Sequence, residues 1–94
     1  MEYQVLIIDG RKFSDLNGFF DEVTTVLTED QSARKDFDEL HRLLAEVKDE
    51  IDDKAPVDLI WRHAELSKKR LGSETFTRIL DVIQVHPNVN LLLD

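Results

Sequence analysis

The stretch VDLIWRHAELSKKRLG, Val57 to Gly72, decides the fold class, because it changes from a strand pattern to a helix pattern within a few residues. Val57, Leu59 and Trp61 alternate with the positions between them, as in a strand that buries one face. The polar residues that follow end at Gly72 and favour a short helix of one to three turns. The stretch therefore predicts a strand followed by a helix, with Trp61 in the core rather than at an interface.

Two more strands are predicted near the ends of the chain. The apolar run VLII, residues 5–8, leads into Asp9-Gly10, a pair that favours a turn. A continuous apolar run of this kind is typical of a strand covered on both faces. The closing VNLLL, residues 89–93, has the same character.

Three more helices are predicted from apolar residues that recur at steps of three and four. The first begins at Ser14, a natural N-cap. The second carries its apolar stripe from Phe37 through Ile51, which makes it the long central helix. The third has Ser73 as its cap and ends before Pro87, which cannot continue a helix.

The order is then strand, two helices, strand, a short helix, a further helix and strand. Strands separated by helices indicate a parallel sheet. We therefore expect an α/β fold with a small three-stranded parallel sheet covered by three to four helices, in a single domain spanning residues 1–94.

Composition narrows the classes of function. The 94 residues carry a net charge of -8 and no cysteine, so disulfides, thiolate metal sites and a thiol nucleophile are excluded. This acidity argues against nucleic-acid binding, which needs a basic surface, and suits either a basic protein partner or solubility alone. No apolar run reaches the length of a membrane span, so we expect no membrane association and a soluble, cytoplasmic protein.

The sequence carries no signature of catalysis. The chain has no Gly-rich phosphate loop, no HExxH and no Gly-x-Ser-x-Gly. His41, His63 and His86 fall on different predicted elements, so no metal site is expected. Asp38 and His41 are one helical turn apart, but no nucleophile accompanies them. We predict a protein that is not an enzyme and has no cofactor and no metal.

Three acids, Asp36, Asp38 and Glu39, open the central helix. Acids in a first turn offset the helix dipole, each by about 0.3–1 kcal/mol, and Asp36 is also suited to be the N-cap. The same carboxylates are suited to meet a partner. The spacing leaves both interpretations open.

Taken together, the segments resemble the barstar family of ribonuclease inhibitors. The resemblance is carried, in order, by VLIIDGRKF, SDL, DFDELHRLL, VDLIWRHAELSKKRLG, FTRILDVIQ and NVNLLLD. It implies the family's fold, a small three-stranded parallel sheet covered by helices. It also implies the family's mode of action, in which a loop and the next helix plug a ribonuclease active site and carboxylates replace the RNA phosphates.

The family's pattern N-[LF]-D-A-L-W-D falls on residues 36–42, which read DFDELHR. Asp38 matches the first aspartate of the pattern, whereas Arg42 stands at the second. The loop ahead of the helix reads Ser32-Ala33-Arg34 where the family has tyrosine and glycine, and a late acidic position falls on Val85.

The resemblance implies a small acidic binding protein, of the antitoxin or immunity type, that blocks a ribonuclease or related toxin with a loop and an acidic helix. Its partner would be a protein, a secreted ribonuclease or toxin domain, and we expect it to act as a monomer. The alternative, suggested by Arg42, is a stand-alone interaction domain that kept the fold and lost ribonuclease inhibition. The predicted partner-binding residues are Arg34, Lys35, Asp36, Asp38, His41 and Arg42.

Overall fold

The computed structural model describes residues 5–29, 32–47 and 56–94, and the predicted order of elements is confirmed in these ranges. The strands are β1 (Val5–Asp9), β2 (Val57–Arg62) and β3 (Val89–Leu93). The helices are α1 (Leu16–Leu27), α2 (Phe37–Glu46), α3 (Ala64–Leu71) and α4 (Ser73–Gln84), and a 3-10 turn, Gly10–Lys12, follows β1. The protein is thus α/β.

The strands form one parallel sheet in the order β1-β2-β3. Leu6 of β1 lies beside Leu59 of β2, which in turn lies beside Leu91 of β3. Because side chains alternate along a strand, this register brings the inward residues of all three strands onto one face. α1 packs on this sheet at β1 and α4 packs on it at β3.

Trp61 lies at the centre of the core, as predicted, with none of its surface exposed. Its ring stacks on Phe19 of α1 at a centroid distance of 5.2 Å and lies 5.1 Å from Phe76 of α4. The indole N–H donates to the buried Ser67 hydroxyl at 3.0 Å, which satisfies a polar group that would otherwise be costly to bury. Trp61 therefore joins the sheet to three helices.

Gly10 lies where β1 comes closest to the connection between β2 and α3. A Cβ at this position would be 2.7 Å from the carbonyl oxygen of His63, 2.8 Å from that of Arg62, and against the Ser67 hydroxyl. Only glycine fits this approach. His63 itself has a left-handed backbone, φ 57°, in the tight turn into α3.

One face of the sheet is partly exposed and no described helix packs on it, so the prediction that β1 is covered on both faces is wrong. Val5 is 47% exposed, Ile7 45% and Leu92 43%. Ile7 lies beside Ile60, which lies beside Leu92, and together they form an apolar row across the sheet. The packed helices cover the opposite face, which holds the buried residues of the strands.

Two helix starts differ from the prediction by one residue. Asp15, not Ser14, is the N-cap of α1, and its side chain accepts the N–H of Gly18 at 2.7 Å. Ser73 is the first residue of α4 rather than its cap. Gly72, with φ 89°, holds the cap position and has no side chain to contribute.

α2 is shorter than the apolar pattern predicts. It ends at Glu46, and Val47 has an extended backbone with ψ 137°; Ile51 lies outside the described residues. The side-chain amide of Asn88 donates to the carbonyl oxygens of Leu44 at 2.8 Å and Val47 at 2.9 Å. The segment before β3 therefore caps the end of α2.

Candidate functional site

The predicted site is the loop 31–36 with the exposed side of the central helix; residue 31 lies outside the described residues, and the described part of the loop, 32–36, enters α2. Asp36 is the N-cap of α2, which is one of the two roles predicted for it. Its Oδ1 accepts the N–H of Glu39 at 2.7 Å. Ala33, in the middle of the loop, is buried, with only 6% of its surface exposed. The loop therefore enters the helix with a defined backbone.

Glu39 is a buried carboxylate at this junction, only 6% exposed. Its Oε2 accepts the backbone N–H of Arg34 at 3.1 Å, and its Oε1 accepts the side-chain Nε–H of Arg42. The hydrogen bond from Arg42, and then that from Arg34, hold the pKa of Glu39 below its usual value, against the effect of burial. Glu39 is therefore charged at neutral pH and ties the loop backbone to the helix.

Arg42 lies between two acids on the same helix. Besides Glu39, it meets Glu46 through Nη1, which is 3.1 Å from Oε2. These carboxylates, Glu39 above all, raise the pKa of Arg42, and about half of its side chain is exposed. Its charge is thus more than balanced within its own surroundings.

The other two bases of the predicted set also have acidic neighbours. Lys35 Nζ lies 3.3 Å from Asp21 Oδ1 on α1, and Arg34 Nε lies 3.7 Å from Asp36 Oδ2. Exposed ion pairs of this kind contribute little stability. They do reduce the positive charge that the loop offers to a partner.

Asp38 differs from the acids around it. It is exposed on the first turn of α2. Within the described ranges it takes part in no hydrogen bond or ion pair, whereas Asp36, Glu39 and Glu46 each do. Asp38 is therefore the acid of this surface that is available to an external cation.

His41 pairs with His86 and not with Asp38. His41 Nδ1 and His86 Nε2 are 3.0 Å apart, so one ring donates a hydrogen bond to the other and links α2 to the segment after α4. Burial, and then the charge of His41, lower the pKa of His86. The sequence offered no signal for this pairing across 45 residues.

Helix α4 also borders the site, and the sequence analysis did not predict this. The Arg78 guanidinium of α4 lies 4.1 Å from the centre of the Phe37 ring, a cation–π contact at the start of α2. Beside it is an open cavity of about 390 Å³ lined by Ser73, Glu74, Thr77, Arg78 and Asp81. In the sequence these residues belong to the polar side of α4, and no motif among them indicates a site.

The described site presents charged side chains on a loop and on the edge of α2. In the described ranges no three His, Asp or Glu side chains are grouped to hold a metal ion. Likewise, no described helix is long and apolar enough to cross a membrane.

Comparison with known proteins agrees with this geometry. No curated protein matches the chain. A family model described as Barstar (barnase inhibitor) matches residues 3–88, which include loop 32–36, α2 and α4. Since the match covers nearly the whole chain and the three-stranded parallel sheet agrees with it, the chain belongs to the barstar (barnase inhibitor) family.

Proposed function

We propose that this protein binds a ribonuclease, or a related ribonuclease toxin, and blocks its active site with the loop before α2 and the exposed side of α2. Membership of a family described as barnase inhibitors supports this role. The observation that carries it is Asp38, an exposed carboxylate without a partner among the described residues, held at the start of a capped helix. The protein acts by binding and not by catalysis.

The physical reason lies in the charge of the target. A ribonuclease binds the phosphates of RNA, so its active site is built from cationic groups. A carboxylate held on a rigid helix offers the same sign of charge without a bond that can be cleaved. The net charge of -8 adds long-range attraction, which raises the rate of encounter with a basic enzyme.

Arg42 is the residue that opposes this role, because a base would be repelled by the same cationic site. The ion pairs weaken that objection, since the bases of the surface are outnumbered by acids near them. The bases are Arg34, Lys35 and Arg42, and the acids are Asp21, Asp36, Asp38, Glu39 and Glu46. The surface is therefore net acidic.

The test is a panel of small secreted ribonucleases, with barnase among them. RNA cleavage and titration calorimetry are measured with the native protein, with Asp38→Asn, and with Glu65→Gln on α3 as the control. We expect one-to-one inhibition of at least one enzyme, weakened about tenfold or more by Asp38→Asn and unchanged by the control. Absence of binding and inhibition across the panel would refute the proposal.

A second candidate is an interaction domain that has the fold but does not inhibit ribonucleases. The half-exposed guanidinium of Arg42 in the middle of the surface favours it, since like charge at an anion site is repelled. This candidate predicts no inhibition by the native protein, and inhibition only after Glu39→Ala and Arg42→Asp are combined. Tight inhibition by the native protein would exclude it.

A further inference from the structure

We propose that Arg42 is a positioning residue that acts inside the molecule, and that the surface consequently presents Asp38 to a single cationic side chain of its protein partner. The first half concerns the free protein. The second half rests on the proposed function, because it describes how the same surface meets a ribonuclease.

The role of Arg42 follows from what lies on either side of Glu39. One oxygen of this buried carboxylate accepts the loop N–H of Arg34, and the other accepts the Nε–H of Arg42. A buried carboxylate needs a counter-charge, and Arg42 supplies it one helical turn away. Removing Arg42 therefore weakens the acceptor that holds the loop.

Glu39, Arg42 and Glu46 lie on successive turns of the same face of α2, with the base between the two acids. An aspartate alone at position 42 would face Glu39 and Glu46, and three carboxylates would then lie on adjacent turns. Glu39 and Arg42 therefore form one internal acid–base pair, in which the charge of Arg42 is directed at Glu39 and not at a target.

This pairing determines what the partner has to offer. Glu39 and Glu46 are occupied by Arg42, and Asp36 caps the helix. Asp38 is left as the carboxylate open to contact in this described part of the surface. A partner that matches it needs one cation opposite Asp38, not a cluster of cations spread along α2.

The first experiment uses the free protein and NMR. Amide exchange of Arg34 and the pKa of Glu39 are measured in the native protein, Arg42→Met and Arg42→Lys, with Lys35→Met as a control on the same loop. We expect Arg42→Met to speed Arg34 exchange on the order of tenfold and to raise the Glu39 pKa towards its usual value. Arg42→Lys should recover part of both effects, and Lys35→Met should change neither.

Unchanged Arg34 exchange in Arg42→Met would overturn the positioning role. So would a rise in exchange that the amides of β2 share equally, because it would mean general destabilisation. A stability cycle adds a second check. Arg42→Asp alone should lower the urea midpoint, and adding Glu39→Ala should recover it; an equal or larger loss in the double variant would count against the coupling.

The second experiment tests the partner with barnase and any other ribonuclease that the panel identifies. Double-mutant cycles combine Asp38→Asn or Arg42→Met with substitutions in the enzyme, in which each basic residue of the active site is changed in turn to glutamine. We expect Asp38 to couple with one enzyme base and Arg42 with none. Coupling of Asp38 with several bases, or of Arg42 with an enzyme acid, would overturn the single-cation proposal. If no ribonuclease binds, that proposal fails with the proposed function, while the NMR measurements still decide the role of Arg42.

Discussion

Replacing Asn88 with alanine should destabilise the protein, because the Asn88 side chain caps carbonyl groups at the end of α2. Its amide donates to two carbonyl oxygens, those of Leu44 and Val47, from 44 and 41 residues away in the sequence. The last carbonyls of a helix have no partner within the helix itself, so a side-chain donor from elsewhere in the fold stabilises them. The change thus reaches the helix that carries the candidate site.

The magnitude follows from the two hydrogen bonds. Each such bond contributes about 0.5–1.5 kcal/mol net, so Asn88→Ala should lower the free energy of unfolding by about 1–3 kcal/mol. For a domain of this size the melting temperature should fall by roughly 5–15 °C. Asn90→Ala is the matched control, since its amide donates to Asp58 on the open sheet face, where the contact is exposed. That control should change stability by less than about 0.5 kcal/mol.

The assay is urea unfolding followed by the fluorescence of Trp61, the only tryptophan of the chain. Amide exchange at Val47, whose N–H bonds to the Leu43 carbonyl, reports the end of α2 directly. It should accelerate in Asn88→Ala and not in Asn90→Ala. If both variants unfold at the same urea concentration, the capping role of Asn88 is wrong.

Three other changes test separate features. Gly10→Ala should lower the free energy of unfolding by about 1–3 kcal/mol in urea titrations, because the new Cβ would lie 2.7 Å from the His63 carbonyl oxygen. A variant as stable as the native protein would contradict this packing. Asp36→Ala should lower it by about 1 kcal/mol through loss of the cap on the Glu39 N–H, and an unchanged urea midpoint would count against it. The pKa of His86 in the folded protein lies below 6.5, so the unfolded chain binds the proton at a higher pH than the folded protein does. The free energy of unfolding should therefore decline as pH falls from 6.5 through that lower pKa. His86→Gln should flatten this decline. A pH profile that is the same in both proteins would refute the last prediction.

Element types were predictable because they depend on local periodicity. The alternation of β2 and the stripe of Phe76, Ile79 and Ile83 in α4 appear in the structure as buried faces. The cap of α2 at Asp36 was predictable for the same reason, since a cap involves only three following residues. The start of α1 was uncertain by one residue because Ser14 and Asp15 are both good caps, and only Asp15 reaches Gly18.

Which side chains of the site contact one another was harder to predict from the sequence. Helical spacing places Glu39 near the polar side of α2, and nothing local indicates that the loop amide of Arg34 and the side chain of Arg42 enclose it. The pairing of His41 with His86 and the contact of Arg78 with Phe37 join different helices. Such contacts depend on how helices pack, which periodicity does not specify.

The sequence by itself determined the order of strands and helices, the parallel sheet and the placement of Trp61 in the core. These follow from apolar patterns, because each helix or strand has to bury its apolar face against another element. Tertiary structure decided where α2 stops, because the capping amide of Asn88 comes from a distant segment. It decided that β1 has an open face, because the packed helices cover one side of the sheet. It also decided that Arg42 neutralises Glu39 and that Asp38 has no partner among the described residues, since the charge of a surface depends on which side chains meet in space.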